Sequence, residues 1–409
     1  MFNNRTRTTV GASTNLTDLA WLDLPDGFCA HFFASVASVR TLRFAPSGDL
    51  FAASPSAQTV GSALGGLAEI VILPDDNGDG VADGAVVFLS RSASSLAKTV
   101  KGGASLWETQ GLLFADGSLY FQDGSLIRRL PFEGSERRPA ADPVTVIDMA
   151  AVVQQATIHW PKALEAAADG TILVSNGGAQ ADPCRRTPEL TGAIFKLRPN
   201  NSVSLVARGF RNPIAIRCEP DHPVCLAIEL AQDFSDSVGG REKIVPVREG
   251  DDWGHPCCAT RDEPFGQIRF HDTAGVPDCS KVAVEAATLQ IGETPFGLDF
   301  ELGSWPHPWR KRAFVTLHGA QGTWTGARII ALALDPATGL PLPASDLDNA
   351  DGGPTNLLDF AVGWDDGSRE HGRPGPVTFS PDGRLFVGDD QRGLIFWVAP
   401  VGLTSLTSR

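Results

Sequence analysis

Three short stretches of this 409-residue chain put charged or titratable side chains at the head of an apolar run: His159-Trp160-Pro161-Lys162, Arg208-Gly209-Phe210-Arg211-Asn212-Pro213 and His371-Gly372-Arg373-Pro374. A single arginine so placed is most simply a surface ion pair, and a lone histidine is most often structural. A histidine, a lysine and two arginines together suit an anionic ligand, because guanidinium matches a carboxylate through two parallel hydrogen bonds. These residues can act together only if the fold brings the heads of separate strands to one funnel.

A second constellation is Asp75-Asp76-Asn77-Gly78-Asp79-Gly80-Val81-Ala82-Asp83. Oxygen side chains fall at loop positions 1, 3, 5 and 9 with glycine at 6, the spacing by which a tight loop wraps Ca²⁺. Val86 stands at position 12, where a bidentate acid is expected. Asp75, Asn77, Asp79 and Asp83 are thus candidate metal ligands, and an acidic hairpin turn is the plainer account.

The elements that must position these residues are legible as a repeat. An apolar alternating run, a Pro/Asp/Gly turn and a second alternating run recur. The clearest copies are Leu42–Phe51, with Ala45-Pro46-Ser47-Gly48-Asp49 at the turn, and Val377–Val387, with Ser380-Pro381-Asp382-Gly383. Gly111–Tyr120 and Leu164–Val174 turn at Gly117 and Gly170, and two divergent copies turn near Asp221 and Gly303. Six hairpins spread over the whole chain predict a single all-β, six-bladed β-propeller, each copy supplying the inner half of a four-stranded blade. The segment Leu24–Val36 precedes the first copy and is expected to close the ring as an outer strand of the last blade. The expected limits are residues 24–400, with 1–23 as an extension and 401–409 as a tail.

In this arrangement His159, Arg211 and Arg373 each open an inner strand, so they converge at one mouth of the propeller. Composition agrees with the fold: 43 glycines and 29 prolines in a chain that is 42% hydrophobic favour many short strands over long helices. The 48 acidic residues outnumber the 34 basic ones by 14, which argues against nucleic acid or an anionic membrane as the main partner. No apolar run reaches the length of a membrane span, and the first twenty residues lack the apolar core of a secretory signal. The cysteines at 29, 184, 218, 225, 257, 258 and 279 lack zinc or haem spacing. They are read as disulfides, Cys218 with Cys225 and Cys279 with Cys257 or Cys258, which implies an oxidising, periplasmic or extracellular compartment.

Several of these motifs carry a family resemblance. Gly209-Phe210-Arg211-Asn212-Pro213 resembles the Gly-x-Arg-Asn-Pro signature of the soluble quinoprotein glucose/sorbosone dehydrogenases, and His159-Trp160-x-Lys162 is similar to the His-Trp-x-Arg stretch of the sorbosone branch. Gly250–Pro256 resembles the Gly-x-x-Tyr-Gly-Trp-Pro loop, Leu317-His318-Gly319 the His-Gly of the fifth blade, and Gly372-Arg373-Pro374 the Gly-Arg-Pro that enters the last. The matches span residues 24 to 398.

The resemblance implies an enzyme that oxidises a sugar or related alcohol with pyrroloquinoline quinone (PQQ) and Ca²⁺, and passes the electrons to an external acceptor. It implies His159 as the base that takes the hydroxyl proton while hydride leaves to the quinone. Arg211, Asn212 and Arg373 would hold the quinone's carboxylates and carbonyls, with Lys162 and His318 completing the cofactor set.

The sequence departs from the pattern in two places. Glu229-Leu230-Ala231 replaces the acidic loop's Asp/Glu-x-Gly, at the catalytic calcium. After His318-Gly319 the chain reads Ala320-Gln321-Gly322-Thr323 instead of supplying a basic residue, so that contact is either missing or replaced by Arg328 or Lys162. A calcium lactonase-like hydrolase and a non-catalytic binding propeller are the other functions such a fold could host.

Overall fold

The computed structural model describes residues 18–55, 68–91, 108–150, 159, 161–178, 190–198, 200–231, 241–260, 267–269, 279–283, 286–345, 356–365 and 371–403. Their strands form six antiparallel blades in chain order. The inner strands are Thr41–Phe44, Leu112–Ala115, Leu164–Ala166, Asn212–Cys218, Pro295–Phe300 and Pro374–Phe379, for blades 1 to 6. Each touches the inner strand of the next blade, and the sixth touches the first, so the ring is closed.

Closure comes from the N-terminal strand Phe28–Ser35, which pairs with Leu394–Pro400 as the outer strand of blade 6. The segment expected to do this does so, and the sheet edge it covers is removed. Packing begins somewhat earlier than residue 24: Leu19 and Leu22 are buried beside blades 5 and 6, and Asp23 bridges Val362. Blade 4 gains a fifth, parallel strand, Ala344–Ser345, lent by blade 5.

All six expected turns join an inner strand to its neighbour. The tightest is Asp116-Gly117, where both residues have positive φ (47° and 64°), the two-residue geometry whose twist matches that of the flanking strands. Because each blade buries both faces, the apolar side chains fall into six clusters, one per seam. The seam between blades 5 and 6 is the most aromatic, with Trp305, Phe314, Phe360 and Phe379 packed edge to face or tilted.

Cys218 and Cys225 stand directly opposite each other and bridge the inner hairpin of blade 4, and Cys258 bonds Cys279. Cys257 is also disulfide-bonded, and Cys29 is the free thiol among the described residues. No described helix is long and apolar enough to cross a membrane.

Below the mouth, a charged network ties the inner strands together. Arg43 of blade 1 donates to the carbonyls of Leu112 in blade 2 and Leu164 in blade 3, and pairs with Glu165 at 2.6 Å. Arg217 of blade 4 joins Glu165 at 3.3 Å to Asp299 of blade 5 at 2.6 Å. Asp299 in turn accepts from Thr378 Oγ1 and Phe379 N of blade 6. All six blades are thus linked.

Removing one partner of a buried ion pair leaves the other charge uncompensated, at a cost of roughly 3–5 kcal/mol. Arg217→Met should therefore lower the unfolding free energy by about 3 kcal/mol or more in urea titration while the β-sheet circular dichroism is kept. A change under ~0.5 kcal/mol, the scale of an ordinary surface substitution, would show that the network does not hold the ring.

Candidate functional site

Inner strands run from the mouth towards the opposite face, so whatever precedes them gathers at the mouth. Arg40 precedes blade 1, His159 and Lys162 precede blade 3, and Arg211 with Asn212 opens blade 4. Thr294 precedes blade 5, and Arg373 precedes blade 6. His318 returns to the same level at the end of strand Arg312–Leu317. A cavity of about 350 Å³ is walled by Arg40, His159, Arg211, Asn212, His318 and Arg373. Of the six residues expected at the site, the cavity brings together five, His159, Arg211, Asn212, His318 and Arg373, and leaves out Lys162.

His159 is buried, and its Nδ1 lies 2.6 Å from the Gly178 carbonyl. A carbonyl only accepts, so Nδ1 carries the proton and Nε2 keeps its lone pair. Burial, and then the charges of Arg211 and Lys162, push its pKa down to about 4, well under the value of a free imidazole. Gly177 makes room for the ring: a Cβ there would stand 2.2 Å from His159 Cβ and 3.2 Å from Asn212 Oδ1.

Arg211 is fixed through its backbone N–H, which donates to Glu229 at 2.5 Å, and Glu229 is held from the other side by Lys243 at 3.2 Å. Two polar atoms of the wall, Asn212 Oδ1 and His318 Nε2, are buried without a hydrogen-bond partner. An unmet buried polar atom costs about 1–3 kcal/mol, a cost that a polar group entering the cavity would relieve. His318 stacks on Phe296 at 4.1 Å and is kept neutral by burial and by Arg373.

The structure supplies a cation that the sequence reading passed over. Arg40 lies over the Phe296 ring at 4.7 Å and pairs with Asp390 at 2.7 Å. Its signal was present, since Val39-Arg40-Thr41 occupies in the first hairpin the place that Arg211 and Arg373 occupy in theirs. Arg328, by contrast, is committed to Glu293 and Asp359 and does not line the cavity. Arg40 thus adds a third guanidinium to a cavity wall that Arg328 and Lys162 do not line.

Lys162 sits lower, in the narrow axial passage of about 60 Å³ with Gln110, Arg43 and Arg217. Its ammonium is 3.5 Å from the His159 carbonyl, and burial pushes its pKa down to about 7. The loop Gly250–Pro256 closes the blade 3–4 seam: Asp252 pairs with Arg208, and Trp253 is fully buried against Phe210. Trp160 lies outside the described residues.

The acidic loop is not brought to this site. Asp75 and Asp79 face a larger cavity, about 930 Å³, among the hairpin turns at the opposite end of the ring. Size alone would favour that cavity, but it contains none of Arg40, His159, Arg211, Asn212 and Arg373. Within the loop, Asp75 accepts from Gly80 N, Asn77 from Asp79 N, Asp79 from Val81 N, and Asp83 from Asp76 N and Asn77 Nδ2.

No family model matches the sequence, and no curated protein matches it significantly. Solved structures do match in three dimensions. A Trichoderma reesei enzyme of carbohydrate-active family AA12, in a calcium structure, superposes with a TM-score of 0.71 at 18% identity, over 93% of this chain and 97% of that one. The holo PQQ domain of Coprinopsis cinerea pyranose dehydrogenase gives 0.69 at 15% identity, over 92% and 96%. The PQQ-bound aldose sugar dehydrogenase of Streptomyces coelicolor gives 0.56 at 15% identity, over 92% and 100%. The chain shares the six-bladed propeller fold of these structures.

At this mouth of the propeller the electrostatics make a definite forecast. In an NMR titration His159 should be neutral at pH 6 and half protonated near pH 4, because burial, Arg211 and Lys162 all disfavour the imidazolium. A midpoint near 6.5 would show an exposed, uncoupled ring instead.

Proposed function

We propose that this chain is a PQQ-dependent dehydrogenase that oxidises a hydroxyl or hemiacetal carbon of a sugar or related alcohol. One observation carries the reading: Arg40, Arg211 and Arg373, from blades 1, 4 and 6, share a single cavity with a neutral histidine whose Nε2 can accept a proton. A planar tricarboxylate needs several convergent cationic donors, whereas a neutral lactone needs none. Asn212 Oδ1 and His318 Nε2 are further polar contacts suited to such a ligand.

When bound, PQQ supplies a quinone that takes a hydride from the carbon bearing the hydroxyl. His159 accepts the hydroxyl proton at Nε2, while the Gly178 carbonyl holds the ring in the tautomer that leaves this atom basic. At about 4 the ring of the ligand-free chain is a weak base, and a carboxylate-bearing ligand beside it favours the imidazolium and strengthens it. The charges of Arg211 and Lys162 then favour release of the proton to solvent. The two electrons pass to an external acceptor. The disulfides fit an oxidising compartment for this traffic.

The described side chains do not build a calcium shell. Among the described residues no three His, Cys, Asp or Glu gather into a metal-holding group. Glu229 is engaged by Lys243 and Arg211 N, and Glu242 accepts from Ala231 N and Gly292 N. These described carboxylates do not fit a calcium shell, and the proposed chemistry uses neither as a metal ligand.

The test is PQQ uptake and dye-linked oxidation of a panel of sugars in calcium-containing buffer. His159→Ala should bind PQQ within about threefold of the parent and lose roughly 10²–10⁴ in kcat, the usual contribution of a positioned base. Arg211→Ala and Arg373→Ala should weaken PQQ binding first. Equal turnover by the His159→Ala variant, or no PQQ uptake by the parent, would remove the assignment.

A further inference from the structure

Asp390 follows the second strand of blade 6 and has no exposed surface. Its carboxylate accepts two parallel hydrogen bonds from Arg373, Nε at 2.7 Å and Nη2 at 2.9 Å, and forms an ion pair with Arg40, whose Nε lies 2.7 Å away. One anion thus joins two guanidiniums that open neighbouring blades, 6 and 1. Each guanidinium also lies over an aromatic ring, Arg373 over Trp324 at 4.5 Å and Arg40 over Phe296 at 4.7 Å. Both arginines and both rings wall the cavity; Asp390 does not reach it.

The neighbouring Asp389 fixes the turn that presents this carboxylate. It accepts from Arg373 N at 2.8 Å and from Gln391 N and Arg392 N at 2.9 Å. Burial alone would raise the Asp390 pKa, but Arg40 and Arg373 outweigh it and hold the carboxyl well below the usual range, so it remains an anion.

We propose that Asp390 is a positioning residue, holding Arg40 and Arg373 as one forked pair whose remaining N–H groups receive a carboxylate of the cofactor; this rests on the functional reading above. Two unpaired guanidiniums in so small a space would repel, and each would have a long side chain to immobilise on binding. A carboxylate between them fixes both beforehand, which is preorganisation. The same anion also lowers the positive potential of the cavity. The two effects oppose each other in sign, so a neutral substitution separates them.

PQQ would be titrated into the full chain and into Asp390→Asn and Asp390→Glu, in calcium-containing buffer, by quenching of tryptophan fluorescence, with the Tm of each protein measured without PQQ. Positioning predicts that Asp390→Asn weakens PQQ binding about tenfold or more, the scale of one lost charged hydrogen bond. Asp390→Glu keeps the charge on a longer arm and should recover most of that loss, remaining a few-fold weaker than the parent.

Affinity unchanged or tighter in Asp390→Asn would overturn the proposal, a lower Tm notwithstanding, since Asp390 would then only stitch two blades or oppose the ligand. Should Asp390→Asn not fold, Asp390→Glu decides, and parental affinity there overturns it. A parent that takes up no PQQ sinks the functional reading and this inference with it. A parent that binds PQQ no better than Asp390→Asn sinks the inference alone.

Discussion

Arg217 and Arg43 hold the place where a propeller has least to hold it, the axis at which six inner strands meet. Seams between blades are filled by ordinary apolar packing, but at the axis the strands are too far apart to share one apolar cluster. Two arginines reach where shorter side chains could not, and Glu165 and Asp299 pin them. Burial raises the pKa of Asp299 to about 6. The same network divides the axial channel, so the mouth becomes a cup with a charged floor.

That cup concentrates positive charge. Arg40, Arg211 and Arg373 share its wall, with Lys162 just beneath. Folding such an array without a ligand calls for local compensation, and each element of it is visible. Asp390 lies between two arginines, aromatic faces lie under two guanidiniums, Glu229 takes the backbone of the third, and both histidines stay neutral. Asn212 Oδ1 and His318 Nε2 are still left without a partner.

Fold and function part company at this point. The neighbouring structures share the propeller at 13–18% identity, and a propeller can host unrelated chemistries. What separates the dehydrogenase reading from a lactonase-like hydrolase is local. The described carboxylates Glu229 and Glu242 are engaged with amides and an ammonium, whereas the arginines surround the cavity.

The sequence by itself determined the elements and their number. Hairpin chemistry is local: Ser47-Gly48, Asp116-Gly117 and Pro381-Asp382-Gly383 specify turns whatever surrounds them, and six copies over one chain specify radial repetition. The repeat also located His159, Arg211, Asn212 and Arg373, because equivalent positions in successive blades end at one mouth. Arg40 was readable by the same rule and went unread because its motif lacks a neighbouring Gly, Asn or Pro to mark it. Only the tertiary structure could place Asp390, Phe296 and Trp324, which act through contacts between segments up to 350 positions apart in sequence, as Arg40 and Asp390 are. It alone put the acidic loop at the far end and Lys162 below the cavity. A side chain's level along the axis depends on strand direction and on what its neighbours in other blades already fill, and neither is written in the spacing of residues within one blade.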